Sequence, residues 1–324
     1  MRAILILIFV IYGIYCQNLN IVTSVNARRD RTWTAKQNRF TSLPKVHMKK
    51  LMGVQENHKN VKLPPPPKST LVRSTAISST FDARQKWRRC RTIGTVRDQG
   101  LCGSCWAFAA VSSMSDRICI KSNGRINVNI SAEHVLSCCT TCGEGCDGGY
   151  PKEAWKFWTS NGIVTGGDFN SRVVLLYFIY SLTAYAVGKT VRAIQSEIVS
   201  NGPVCAVMCV HEDFMSYDKV SLYDIAKRFF PMTTPGFYYI TFKFFMKLID
   251  SKHYSTGVYQ HVSGEFLGYH AVKIIGWGTE NGIPYWLVVN SWGLGWGIRG
   301  LFKIAQNYSE NCIEDDVTAG HPKY

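Results

Sequence analysis

Residues 99–106 read Gln-Gly-Leu-Cys-Gly-Ser-Cys-Trp and run directly into Ala107-Phe108-Ala109-Ala110-Val111. The small, apolar run reads as a buried helix, which places Cys105 at a helix N-terminus. There the positive end of the helix dipole favours a thiolate over a thiol. The thiolate is a nucleophile, so the position suits covalent catalysis. Cys102 and Cys105 also have the Cys-x-x-Cys spacing of a redox or metal pair, an alternative weighed against the partners found downstream.

A thiolate of this kind needs a histidine to pair with it and to protonate a leaving amine. His270 is the best candidate of the eight. It lies in Gly268-Tyr269-His270-Ala271-Val272, and the apolar run after it reads as a strand that holds the ring rigidly. His261, in Val258-Tyr259-Gln260-His261-Val262, is the runner-up. His134 falls in a helical stretch and reads as structural. Asn290, in Asn290-Ser291-Trp292-Gly293, is placed to orient the imidazole, fixing its tautomer without adding charge, with Trp292 shielding that bond from water. Gln99, upstream of the nucleophile, is placed to donate its side-chain amide to a developing oxyanion beside the Cys105 backbone N–H.

These residues, in this order, resemble the papain family, and within it the cathepsin B-like branch. The branch-specific strings are Phe81-Asp82-Ala83-Arg84, Ser115-Asp116-Arg117-Ile118-Cys119, Cys138-Cys139, Gly145-Cys146-Asp147-Gly148-Gly149-Tyr150-Pro151, Asn201-Gly202-Pro203-Val204 and Gly257-Val258-Tyr259-Gln260-His261-Val262. The resemblance implies a two-domain α+β fold, a helical domain carrying Cys105 and a β-barrel-like domain carrying His270 and Asn290, with substrate in the cleft between. It also implies that Gly148 and Gly149 hold the substrate backbone. Asp316 falls where cathepsin B carries an acid at the base of the S2 pocket, which would accept a basic P2 side chain; a surface carboxylate is the plainer alternative. No cofactor is implied. The partners implied are peptide or protein substrates, cystatin-like inhibitors and the chain's own propeptide.

Arg2 and the apolar run from Ala3 to Val10 read as a signal peptide over residues 1–16, too short for a membrane span. Entry to the secretory pathway, with a lysosomal or extracellular destination, makes disulfides plausible. The family pattern pairs Cys90 with Cys119, Cys102 with Cys146, and Cys139 with Cys142. A zinc knuckle from Cys138, Cys139, Cys142 and Cys146 is the alternative, although no metal is expected in an oxidising compartment. Cys138 has lost its family partner, Cys205 and Cys209 are extra and either is a candidate partner for it, and Cys312 is expected to be free.

The formal charge of +15 is concentrated early: residues 17–80 hold twelve Lys and Arg against Asp30 and Glu56. A basic stretch can bind nucleic acid, but this one resembles the family's inhibitory pro-region in Val25-Asn26, Thr32-Trp33-Thr34-Ala35, Asn38 and Phe40. No nucleic-acid partner is therefore expected. The proline run 64–67 reads as an extended linker, with cleavage near residues 74–80. The expected organisation is signal peptide 1–16, pro-region 17–79 and peptidase domain 80–324. Asn129 and Asn307 head glycosylation sequons.

Two segments depart from the family. Residues 172–187 replace the cysteine-rich stretch that includes the occluding loop, and neither cysteine nor histidine occurs between Asp168 and Pro203. The histidine clamp for a substrate's C-terminal carboxylate is missing, which predicts an endopeptidase. Residues 220–254 are an aromatic, basic insertion, read either as a real surface excursion or as translated intron, with a misjoined exon at 172–187. Tyr269 stands where the branch usually has glycine, placing a ring beside the primed subsites. The leading function is a secreted or lysosomal thiol endopeptidase made as a zymogen. The alternatives are a catalytically impaired homologue that binds peptides or inhibitors, and a mis-assembled coding sequence of an ordinary cathepsin B-like carboxydipeptidase.

Overall fold

The computed structural model describes residues 21–67, 77–166, 177–218 and 257–323. The signal peptide, the insertion at 220–254 and residues 172–176 of the first departure lie outside the described residues.

The N-terminal segment contains a helix over residues 21–27 (α1), a short strand Thr34–Ala35 (β1) and a helix Lys45–Lys50 (α2). Its apolar residues Val25, Trp33, Phe40, Met48 and Leu51 are buried in the core of the sheet described below. Trp33 lies 5.2 Å from Tyr259, and Phe40 lies 5.1 Å from Trp292. The segment is therefore packed as an integral part of the fold, because its aromatics have no core of their own to enter.

The helical part begins with strand Phe81–Asp82 (β2) and helix Ala83–Lys86 (α3), capped by the Asp82 carboxylate accepting from the Arg84 N–H. Next comes the long helix Cys105–Lys121 (α4). Its alanines let neighbours approach closely, and it is buried on nearly all sides. Around it lie strand Asn129–Ile130 (β3), helix Ala132–Cys138 (α5, capped by Ser131), helix Pro151–Ser160 (α6, with proline in its first turn), strand Ile163–Gly166 (β4) and strand Phe178–Ile179 (β5). Strands β3, β4 and β5 form a small sheet.

The second part comprises β6 (Ser181–Ala186), α7 (Val191–Asn201), β7 (Val204–His211), β8 (Tyr217–Asp218), β9 (Phe266–Glu280), β10 (Ile283–Val289), β11 (Leu301–Ala305) and β12 (Asp316–Pro322). The antiparallel order is β11-β10-β9-β7-β12-β6, with β2 also pairing β9. The barrel-like sheet expected from the resemblance is thus an open path of strands among the described residues. The two-layer α+β arrangement follows from the sequence: β7 is a run of buried apolar residues and α4 an apolar helix, each needing the other part's face to cover it.

A buried ion pair ties α4 to β9 across the two parts. Asp116 on α4 and Lys273 on β9 are both buried and meet at 2.8 Å. Charges so deeply placed persist because each neutralises the other.

Disulfides join Cys90 to Cys119, Cys102 to Cys146 and Cys139 to Cys142. The last two bonds use three of the four sulfurs of the zinc alternative, and Cys138 is exposed with a free thiol. A fourth bridge corrects the expectation that Cys312 is free: it is bonded to Cys209. The outer end of β7 and the turn before β12 are brought side by side by the sheet, a proximity invisible across 103 residues of sequence. Cys205, one of the suggested partners for Cys138, is instead buried and free.

Candidate active site

Cys105 is the first residue of α4, and its side chain is fully buried. The backbone N–H of Ala271 donates to its Sγ at 3.5 Å, so the strand that carries His270 abuts the thiol. Burial pushes the thiol up to about 11, against the pull of N–H groups from Ala271, Gly53 and Trp106. His270, also fully buried, lies on β9 opposite Met208 of β7. Its Nε2 is 2.8 Å from Asn290 Oδ1, and the Trp292 ring lies tilted beside it at 4.9 Å. Burial depresses the imidazole to about 4 despite that bond and the pull of the Leu51 backbone carbonyl. In this covered state both groups are neutral.

Gln99 is held rigidly. Its Oε1 accepts from Ser291 Oγ at 2.6 Å, while Nε2 donates to the carbonyls of Cys102 at 2.8 Å and Leu51 at 3.1 Å. Leu51 belongs to the N-terminal segment, which passes between the two parts directly over Cys105. Gly149 N–H donates to Gly53 O at 2.9 Å, Gln55 N–H to Gly149 O at 3.1 Å, and Val54 N–H to Tyr269 O at 3.1 Å. Gly53 itself must be glycine, because a Cβ there would collide with the carbonyl of Gly103. Gly149 is equally constrained: a Cβ would stand 2.6 Å from the Trp106 ring. Its neighbour Gly148 has φ of 110°, a conformation that favours glycine.

Asp316, at the start of β12, is buried and already paired with Lys152 of α6 at 2.7 Å. His58 of the N-terminal segment enters the same pocket, its Nε2 3.6 Å from the Asp316 carboxylate and its ring edge-on to Tyr269 at 4.7 Å. The Tyr269 ring packs on His58, which faces Asp316, whereas the sequence suggests a place beside the primed subsites.

His261 is not brought to Cys105. Its Nδ1 is 3.1 Å from the buried Asp213, and its ring stacks on His211. His134 sits against Phe157 and Phe178. Asn307 is exposed in a turn and Asn129 is half-buried in β3. Sequence reasoning missed the residues by which the N-terminal segment is fixed. Arg39 bonds both Asp98 (2.6 Å) and the Trp292 carbonyl (2.7 Å), and Lys45 lies 2.7 Å from both Glu212 and Glu265. It also missed Gly53, His58 and Lys152; only the charge of Lys152 beside an expected acid pocket offered a signal.

The papain family cysteine protease profile matches residues 77–228 and 239–321. The chain is 38% identical over 296 residues to cathepsin B-like cysteine proteinase 4 of Caenorhabditis elegans, covering 78% of this chain and 77% of that protein. It is 38% identical over 282 residues to a gut-specific cysteine proteinase of the same organism, covering 76% and 74%. Among solved structures it is similar to procathepsin B S9 from Trypanosoma congolense, with a TM-score of 0.74 at 29% identity, covering 94% of this chain and 96% of that one.

Proposed function

The chain belongs to the papain family of cysteine proteases, in its cathepsin B-like group, and on that premise we propose that it is a zymogen of a thiol endopeptidase. Residues 17–79 are the pro-region and residues 80–324 the enzyme. One observation carries most weight: the Leu51 carbonyl occupies the Gln99 amide. The cleft is thus filled by the chain's own backbone at the position where a substrate carbonyl would be polarised.

In the covered state the Gly53 N–H, not a carbonyl carbon, faces Cys105 Sγ. Nothing there is open to attack, and the neutral thiol is a poor nucleophile. Removal of the segment returns water to the pair, and Cys105 transfers its proton to His270. The thiolate then attacks the substrate carbonyl carbon, and the oxyanion is held by Gln99 Nε2 and the Cys105 N–H. His270 gives its proton to the departing amine as the C–N bond breaks, leaving an acyl-enzyme thioester. A water molecule, deprotonated by His270, attacks the thioester; the acid product leaves and the thiol is restored. Asn290 Oδ1 keeps Nε2–H of the ring engaged, so Nδ1 faces the sulfur throughout.

Endopeptidase specificity is supported by the lack of histidine between Asp168 and Pro203. Passage through the secretory pathway to a lysosomal or extracellular site is supported by the apolar N-terminus and four disulfides. No helix among the described residues is long and apolar enough to cross a membrane.

The test is covalent labelling of Cys105 by a peptidyl epoxide after acid maturation, with turnover of a folded protein substrate and of a dipeptidyl C-terminal substrate. Labelling and internal cleavage that both vanish in Cys105→Ala are expected. A folded, matured protein that neither labels nor cleaves is the peptide- or inhibitor-binding homologue instead. Release of C-terminal dipeptides would indicate a mis-assembled carboxydipeptidase sequence, which transcript sequencing across codons 165–260 would reveal.

A further inference from the structure

Exposed apolar side chains are not scattered over the described residues. Four of the eight large ones, Tyr177, Phe178, Tyr180 and Leu182, fall within six residues at β5 and the start of β6. They belong to a segment that departs from the family, and no step of the proposed reaction uses them. An apolar cluster of this kind on a folded surface marks a ligand groove or an interface. The first three form one wall of a groove of about 890 Å³. Ile126 and Val128, in the turn leading from α4 to β3, form the facing wall, and Thr165 of β4, the strand between β3 and β5, lies between them. That volume is within the range of pockets that hold a small apolar ligand.

The aromatic wall is fixed by the fold itself. Thr165 N–H donates to the Tyr177 carbonyl at 3.0 Å, and Trp158 Nε1–H to the Ile179 carbonyl at 2.9 Å. The Tyr180 ring lies on Gly162, where a Cβ would stand 2.8 Å from it. Ile126 and Ile179 are packed against the core of the helical part. A groove already rigid costs an incoming ligand little ordering.

Its charge is one-sided. Arg125 and Lys323 line it, both exposed, and no carboxylate does. Arg125 Nε donates to the Ser122 carbonyl at 3.1 Å, which holds the guanidinium at the groove. The Lys323 N–H donates to the Tyr180 carbonyl at 2.9 Å, which holds that residue beside the aromatic wall. An apolar trough bordered by a planar guanidinium and an ammonium matches a single acyl chain that ends in a carboxylate. An added peptide strand would need backbone partners, yet the carbonyls of Tyr177, Ile179 and Tyr180 are already taken within the chain. The thiol is remote: α4 spans Cys105–Lys121, about 24 Å at the usual helical rise, and Arg125 follows its far end.

We propose that this groove binds a free long-chain fatty acid, its acyl chain along Tyr177, Phe178, Ile126 and Val128 and its carboxylate on Arg125 and Lys323. The proposal goes beyond the proteolytic reading and does not depend on it.

The full chain at neutral pH is tested by displacement of a fluorescent anthroyloxy fatty acid with palmitate, laurate and uncharged dodecanol, each below its micelle concentration. One saturable site per chain is expected, with palmitate stronger than laurate by at least about tenfold and laurate stronger than dodecanol by about tenfold or more. Reversing both charges, Arg125→Glu with Lys323→Glu, should weaken palmitate by at least about tenfold, while Arg125→Lys with Lys323→Arg retains most of the affinity. No saturable binding by the folded chain, equal affinity for laurate and dodecanol, or unchanged affinity after charge reversal overturns the proposal. If the charge-reversed chain does not fold, a palmitate analogue with a diazirine on its acyl chain decides the matter on the unaltered protein. Cross-links to residues 125–128 or 177–180 uphold the site, and cross-links elsewhere, the peptide cleft included, overturn it. Two other occupants are tested alongside: sedimentation with phosphatidylglycerol vesicles without binding of monomeric palmitate, or a dimer that Phe178→Asp dissociates and palmitate leaves intact, overturns the proposal as well.

Discussion

The side-chain amide of Gln99 donates to the backbone carbonyl of Leu51 at 3.1 Å. The donor proposed to steady the oxyanion is thus engaged by the segment proposed to be the pro-region. In the matured enzyme, Gln99→Ala should lower kcat by about 10²–10³-fold with little change in KM. Stopped assays normalised to titrated Cys105 would measure both; a matching loss in KM alone would reassign Gln99 to ground-state binding.

Asn290 Oδ1 anchors His270 at 2.8 Å, and its Nδ2 has no partner among the described residues. Asn290→Ala should cut kcat by roughly 10–100-fold, the usual scale for losing an orienting outer partner. Asn290→Asp keeps the acceptor but adds a negative charge, which favours the imidazolium. The alkaline limb of its kcat/KM profile should therefore move to higher pH, a shift that a merely structural role would not produce.

The covered thiol, at about 11, and the covered imidazole, at about 4, together hold one proton between those values. An uncovered thiolate–imidazolium pair also holds one proton, down to the ~3–4 at which a histidine-paired thiolate is protonated. Uncovering the wild-type pair therefore takes up almost no protons between about pH 4 and pH 8, and this pair does not drive acid release. Cys105→Ala breaks the balance: a lone imidazole rises from about 4 when covered to its ordinary ~6.5 when exposed. The open state then binds the extra proton as pH falls below about 6.5, so acid favours release. Pro-segment release, followed by tryptophan fluorescence, should be more acid-sensitive in Cys105→Ala than in wild type; identical profiles would refute the balance.

Glu265 and Lys45 form an exposed contact that holds the pro-segment, and the lysine lowers the carboxyl's pKa. A lowered carboxylate pKa stabilises the covered form above the ordinary glutamate value near ~4.3, and that stability is lost as pH falls toward and below it. Lys45→Ala should accelerate maturation severalfold at mildly acidic pH and have little effect at the most acid pH, where the Glu265 carboxyl is protonated in either protein. The time course of conversion on gels would check this.

Asp116 and Lys273 form a buried pair joining the helix of Cys105 to the strand of His270. Asp116→Ala strands an ammonium and should cost about 3–5 kcal/mol, while the double change to Leu and Met should cost much less. Urea midpoints of the three proteins would measure the difference.

How much of this was legible depended on sequence distance. Cys105, His270 and Asn290 announce themselves because each lies in a local string whose residue types its chemistry demands. Gly149 entered only through the resemblance, as a residue holding substrate backbone; that a side chain there would strike Trp106 is seen only in the structure. The Lys152–Asp316 pair was not readable, since a helix residue and a strand residue 164 positions apart meet only after the sheet has closed over α6. The Cys209–Cys312 bridge was hidden likewise. Tyr269 was recognised as unusual, but its ring packs on His58, which no local pattern links to it.

The Tyr217 hydroxyl donates to the Gly257 carbonyl at 2.9 Å, and β1 and Trp33 pair with Asp218 and Gly257 on either side. Described residues 218 and 257 are thus brought together at one doorway, bridged by β1 and Trp33. For closely spaced ends, added chain length costs only logarithmically in entropy. This doorway is accordingly a place where a lineage could lengthen, shorten or exchange its sequence while the cleft, the sheet and the thiol stay as they are.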